Sequence, residues 1–147
     1  MKKIIVLSIT FFITYSITAQ KIKIKEGSEN IGGANHNSLS VTLYGVKPSD
    51  AEEAFRSYMK KYDGKRSSKD GEVFIDHALV KDMGNNTIDI YGKAIGKEGD
   101  KEIIFVVAFN LGGAYLNSND HKDQYKVAEQ IVKDFAIKTI SGRKDTK

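Results

Sequence analysis

The segment KEIIFVVAF, residues 101–109, is apolar at every position from Ile103 to Phe109. In a strand, successive side chains point to opposite faces of the sheet. The odd positions Ile103, Phe105, Val107 and Phe109 are bulky and suit the side that helices cover. The even positions Ile104, Val106 and Ala108 are apolar too, where a half-exposed antiparallel strand would carry polar residues. This strand therefore demands a cover on both sides. One way to supply it is from within the chain, with Tyr44, Tyr91 and the KIKIK segment lying over the even positions. The other is a partner or self-association surface centred on Ile104 and Val106.

The rest of the chain supplies a sheet and two helices for this strand to join. SLSVTLY, residues 38–44, alternates, with Leu39, Val41 and Leu43 on one face and Ser40, Thr42 and Tyr44 on the other. QKIKIKEG before it reads as a short edge strand with Ile22 and Ile24 inward and lysines outward. SENIGGANHN, between them, reads as a loop rich in Gly and Asn. A first helix follows Pro48, with Ser49 and Glu52 spaced as a capping box. Ala51, Ala54, Phe55, Tyr58, Met59 and Tyr62 form its apolar stripe, and Gly64 is placed to end it. KRSSK and EVFID flank the turn pair Asp70-Gly71, and ALVKDM and TIDIYGKAI flank GNN. A last helix starts near Asp120 or His121, buries Tyr125, Ala128, Ile131, Val132, Phe135, Ala136 and Thr139, and stops at Gly142. Strands and helices do not alternate, so a doubly wound parallel sheet is not expected. The expectation is an α+β domain: an antiparallel sheet of about five strands with two helices packed on one face.

The first residues belong to something else. MKK carries two positive charges, and IIVLSITFFITYSITA is an apolar run broken by Ser and Thr before QKIKIK turns polar. That is the layout of a secretory leader, and it predicts cleavage after Ala19. The run is also shorter than the ~20 residues a spanning helix needs, so no stable membrane anchor is expected once the leader is gone. The chain then divides into a leader at 1–19, one domain at 20–141 and a flexible tail at 142–147, and the mature protein is expected in the periplasm or outside the cell. The chain has no cysteine, which removes disulfides, thiolate catalysis and Cys-ligated zinc. Its formal charge is +4, and two of those charges sit on Lys2 and Lys3. Most other lysines alternate with acids, as in KEGDKE, which describes a solvated surface rather than a nucleic-acid stripe. No nucleic-acid partner is expected.

Motifs for chemistry are weak. Gly112 and Gly113 lie between a strand and a helix, where phosphate loops occur, but neither G-x-G-x-x-G nor G-x-x-x-x-G-K-[ST] is present. The expectation is a structural turn. Asn117, Ser118, Asn119, Asp120, His121 and Asp123 have the polar character of a calcium loop, but Lys122 and Ala128 stand where that loop needs Gly and Glu. Helix capping and an acidic first turn explain the cluster instead. Asp76 and His77 could form an acid/base pair, but no nucleophile accompanies them and Ser67 and Ser68 lack a nucleophile-elbow setting. No catalytic residues, cofactor or metal are expected. Tyr44 and Tyr91 fall on the polar sides of their strands and, with Lys93, could form a binding surface. Tyr115 and Asn117, in the loop after the last strand, could extend it.

Three blocks carry a resemblance: KRSSK, then DHALVKDMGNNTIDIYGK, then VAFNLGGAYLNSNDHKDQYKVA. Over Leu39 to Ile140 the chain resembles a group of small secreted proteins of the Bacteroidota. The group has no established function, so the resemblance implies a compartment and a fold rather than an activity. Nothing is transferred from the long charged coiled coil that several members carry. The order of elements also looks like the β-α-β4-α layout of TATA-binding-protein-like domains, an analogy of architecture that does not fix function. Together these features lead to a non-catalytic exported domain that binds an envelope protein or itself. The alternative is a small-ligand or glycan binder using Tyr44, Tyr91 and the Gly112–Asn117 loop. A hydrolase built around Asp76 and His77 is the weakest of the three.

Overall fold

The computed structural model describes residues 21–143. The leader expected at 1–19 and the end of the expected tail lie outside the described residues. The elements run β1 (Ile24–Ile31), β2 (Ala34–Tyr44), α1 (Pro48–Tyr58), β3 (Lys65–Lys69), β4 (Glu72–Ala78), β5 (Ile88–Ile95), β6 (Glu102–Asn110) and α2 (Lys122–Gly142). The architecture is α+β, with six strands in the order β1-β2-β6-β5-β4-β3. Every pairing is antiparallel. After β2, α1 carries the chain to the outer edge at β3, and three consecutive pairings then bring it back to β6 beside β2.

The sheet has six strands, close to the expected five, and SENIGGANHN is part of it rather than a loop. It forms the end of β1 and the start of β2, joined through Gly32 and Gly33 at φ +66° and +89°. Two successive positive φ angles are what a tight hairpin matching the twist of its strands requires. Asp70 and Gly71 make the corresponding turn between β3 and β4, at φ +51° and +76°. ALVKDM, by contrast, is not a strand. The β4–β5 register shifts between Ile75 and Ala78, where His77 takes φ +56°. The Leu79 amide then donates to Tyr62 O at 2.8 Å, and Lys81–Met83 forms a single 3-10 turn.

The helix ends also differ from the sequence reading. α1 begins after Lys47 with Pro48 in its first turn and no side-chain cap bond, so the Ser49–Glu52 box is not made. Proline's fixed φ is already helical, and it lacks the amide a cap would satisfy. The helix gives way to a 3-10 turn at Met59–Tyr62, which Asp63 ends in the left-handed conformation. Gly64 serves packing instead: a Cβ there would lie 2.7 Å from Asp76 O. α2 runs through Gly142, and the Arg143 guanidinium donates to Tyr44 O, so the tail expected from 142 begins as part of the domain.

The main core joins the odd side of β6 to the helices. Phe55 of α1 and Phe135 of α2 both meet Phe105, at ring separations of 5.0 and 4.9 Å, and lie 5.2 Å from each other. Leu39, Leu43, Ile75, Ile90, Val107 and Phe109 complete the same buried cluster. Burying each such side chain stabilises by roughly 1.5–3 kcal/mol. Gly92 of β5 makes room for Phe55, whose ring would lie 2.3 Å from a Cβ at that position. A buried ring in a close-packed core has nowhere to retreat. Gly92→Ala is therefore expected to lower unfolding free energy by about 1–3 kcal/mol through overpacking, measured by urea denaturation. An unchanged midpoint would show that Phe55 has freedom this packing denies it.

Candidate functional site

The even side of β6, called here the far face, carries Ile104, Val106 and Ala108. Ala108 is the register partner of Tyr91, Val106 that of Lys93 and Ser40, and Ile104 that of Ile95 and Thr42. Three features of the chain place a cover over part of this face. Ile31 ends β1 on the same side, Gly32 and Gly33 turn the chain tightly, and the β1–β2 hairpin curls inward. Ile31, Val106 and Ala108 form a second buried cluster, each fully excluded from solvent, with Tyr91 and Tyr115 packed around it. A Cβ on Gly32 would lie 3.1 Å from the Tyr115 hydroxyl and 3.3 Å from the Tyr91 ring. The hairpin tip thus rests on the two tyrosines.

Polar groups hold the tip down. The Gly32 amide donates to both carboxylate oxygens of Glu72 on β4, at 3.1 and 3.2 Å. The Lys93 ammonium donates to Asn30 O. Aromatic rings form a row beneath: Phe74 stacks on Tyr91 at 4.8 Å, Tyr91 lies 6.4 Å from Tyr115, and Tyr115 stacks on His36 at 3.6 Å. Burial, followed by the proximity of Tyr115, Asp89 and Glu72, pushes the Tyr91 phenol up to about 12. It is therefore a neutral hydrogen-bonding group at physiological pH.

Of the residues singled out in the sequence, Tyr91, Lys93, Val106 and Tyr115 come together under the hairpin tip. Tyr44 does not join them. It pairs with Glu102 at the opposite end of β2 and β6. Ile104 is 45% exposed whereas Val106 is 0% exposed. The expected surface centred on both residues is corrected accordingly: Val106 is covered by Ile31, not by KIKIK or Tyr44, and only Ile104 faces solvent. Sequence reasoning missed Ile31, His36, Glu72 and Phe74. The Gly32-Gly33 pair flanked by β-formers was the available signal for the hairpin that brings them in.

The loop after β6 resolves the two glycines. Both amides, Gly112 and Gly113, donate to the Asn110 side-chain oxygen, at 3.0 and 3.2 Å. The Leu111 amide closes the turn on Ala114 O at 2.8 Å, and φ is +95° and +117° at the glycines. Donors that a phosphate would use are thus engaged within the turn. Asn117 makes a second turn. Its side-chain oxygen accepts from the Asn119 and Asp120 amides, at 3.0 and 2.9 Å, and its amide nitrogen donates to Asp120 at 3.0 Å. His121, not Asp120, stands at the start of α2, and it makes no side-chain cap bond.

Asp76, His77 and Asp89 converge at the β4 irregularity. Their ligand atoms lie within 4.8 Å of one another. His77 Nδ1 is 2.5 Å from Asp76 Oδ1, and the His77 amide donates to Asp89 Oδ1 at 3.0 Å. The two carboxylates thereby hold the ring and the backbone of a residue in the left-handed region, which suffices to explain their approach.

Comparison with protein-family models, curated proteins and solved structures returns no match.

One carboxylate fastens the loop to the sheet edge. Glu26 Oε1 accepts from the Asn37 side chain and the Ser118 amide, both at 2.9 Å, and Asn37 also donates to Leu116 O at 2.8 Å. Partial burial raises the Glu26 pKa, but the bonds from Ser118 and Asn37 outweigh it and hold the group below its ordinary value of 4.5. A depressed carboxylate stabilises the fold above its unfolded pKa and loses that contribution as pH falls through the folded one. Glu26→Gln is expected to cost about 1 kcal/mol or less at neutral pH, because the group is exposed. In thermal melts the gap to the wild type should be full above 4.5 and close as pH falls below that value. A gap that is constant with pH would mean that the charge of Glu26 contributes nothing.

Proposed function

We propose that this chain is an exported, non-catalytic domain that binds a protein of the cell envelope through the uncovered end of its far face. The observation that carries the reading is the pairing of two exposed isoleucines. Ile95 and Ile104 are register partners across β5 and β6. They are 39% and 45% exposed, and Ile137 is the only other large apolar side chain so exposed among the described residues. Single exposed apolars are ordinary, but two in direct contact range form a patch that water disfavours. Thr42, Tyr44 and Glu102 rim it, giving a small apolar centre with a polar border, as protein interfaces have.

The reading takes α1 and α2 to cover the opposite face together, which the meeting of Phe55 and Phe135 on Phe105 supports. Export rests on the leader-like residues before Gln20 and on the resemblance to secreted Bacteroidota proteins. The glycan alternative needs Tyr44, Tyr91 and the 112–117 loop to share one cleft. It loses support because Tyr44 lies at the other end of the sheet and the hairpin tip rests on Tyr91.

The test is a photo-crosslinking residue at Ile104, with another at Lys60 in the 3-10 turn after α1 as control, in cells making the full chain. One envelope protein should be captured from position 104 and not from 60, and Ile104→Lys should abolish its binding while leaving the unfolding free energy within about 0.5 kcal/mol of the wild type. Retention of that partner by Ile104→Lys would overturn the reading. So would an exported protein whose terminus, by mass spectrometry, is still Met1 in the membrane fraction.

A further inference from the structure

Lys61 sits where a ligand could. Its ammonium lies 3.9 Å from the centre of the Tyr58 ring and 5.1 Å from that of Tyr62. These three residues line a cleft of about 410 Å³ between the end of α1 and the face of α2. Val127 and Ile131 give it apolar wall, and Asp82 and Asp134 bring carboxylates to it. The site is on the helix side of the molecule and shares no residue with the Ile95–Ile104 patch.

Two independent features indicate that this is more than a lysine lying on a tyrosine. The first is charge. Lys61 and Lys126 balance Asp82 and Asp134 in the cleft as it stands. If the Lys61 head group swings into solvent, the cleft lining is left with one positive charge against two negative ones and two aromatic faces are open. Aromatic faces attract cations through the ring quadrupole, and the attraction grows where water is excluded. The second is a buried polar group. The Tyr58 hydroxyl is shut off from solvent beside Tyr62. Burial raises its pKa, and the negative charge of Asp134 raises it further. The field that disfavours a phenolate there favours a positive charge. Asp134 is held in place by Gln130, whose side chain donates to it at 2.7 Å.

We propose that the Tyr58–Tyr62 cleft binds a small organic cation bearing a methylated or quaternary ammonium group, and that Lys61 occupies its place in the free protein. The cation would stack on the two rings, with Asp82 and Asp134 supplying the counter-charge. Quaternary ammonium fits better than a metal ion because the rings offer π-faces rather than ligand atoms. Lys61 acts as a tethered competitor, so the ligand must displace it, which sets a threshold for binding.

Choline is the probe, with its uncharged isostere 3,3-dimethylbutan-1-ol as control. Calorimetry measures binding, and with no tryptophan in the chain tyrosine fluorescence, to which Tyr58 and Tyr62 contribute, gives a second readout. Choline should bind the intact protein saturably, and Lys61→Ala should bind it roughly tenfold more tightly by removing the competitor. The isostere should not compete. In the Lys61→Ala background, Tyr62→Leu and Asp134→Asn should each weaken binding by a similar factor. Circular dichroism melts confirm that each variant is folded. Asp134→Asn is the decisive one should Tyr62→Leu fail to fold. Failure of both the wild type and Lys61→Ala to bind choline would overturn the proposal. So would equal binding by the two, or binding of the isostere as tightly as choline. Ile104→Lys should leave choline binding unchanged, so this proposal and the docking surface stand or fall separately.

Discussion

A strand that is apolar on both sides must be covered on both sides, and β6 is such a strand in an antiparallel sheet. From Phe105 to Phe109 every one of its residues is fully buried. On the odd side the cover is aromatic, with Phe55 and Phe135 meeting Phe105. On the even side no helix is needed, because the sheet covers itself. β1 and β2 continue past the edge of the core and curl back, so that the tip at Gly32 reaches Glu72 on β4, passing over β6 and β5 on the way. The apolar gain under the tip is modest, since only Ile31, Val106 and Ala108 are fully buried there. Glu72 and Lys93 add charge-assisted bonds to backbone groups, which are stronger than neutral ones.

The same constraint fixes the loop that follows. Once β6 leaves the core at Asn110, the chain must reverse beneath the hairpin and still reach the start of α2. Asn110 organises the reversal through the glycine amides, and Tyr115 returns to bridge with Asn110 while stacking on His36. Asn117 makes the next bend, and Glu26 ties it to β1. Residues with the polar character of a binding loop are thus engaged in carrying backbone from one layer to the other. Buried or half-buried amides demand partners, and short Asn side chains provide them locally.

The helical stripes and most strands were legible in the sequence because periodic burial is a local signal. Ala128, Ile131, Val132, Phe135 and Ala136 are buried as their spacing requires. What was not legible depended on contacts between distant segments. ALVKDM has the composition of a strand, but Leu79 is captured by Tyr62 at the end of the first helical segment, and His77 leaves the ladder. SENIGGANHN has the composition of a loop, yet it pairs across the Gly32-Gly33 turn, with Ile31 buried on Val106 and Ala108. The Ser49–Glu52 spacing was correct for a box that Pro48 made unnecessary. At the candidate site, Tyr91 and Lys93 could be named from their strand parity, and Tyr115 from its place in the loop after the last strand. His36 and Glu72 could not, because only the curl of the hairpin brings their segments to the same place.

Ile104 and Val106 differ by two positions, point the same way and have similar chemistry, yet one is 45% exposed and the other fully buried. The difference lies in how far the hairpin reaches. Its tip is anchored by Glu72 of β4 and Lys93 of β5, over Val106 and Ala108, and β1 pairs with β2 only back to Ile24 opposite Val41. Beyond that point the far face has no second layer, and Ile95 and Ile104 lie just there. The two form a small exposed apolar pair at the end of a self-covering sheet. A polar residue at 104 would have satisfied the strand, as Thr42 does beside it. The isoleucines on β5 and β6 where the cover ends are the feature on which the proposed docking surface rests.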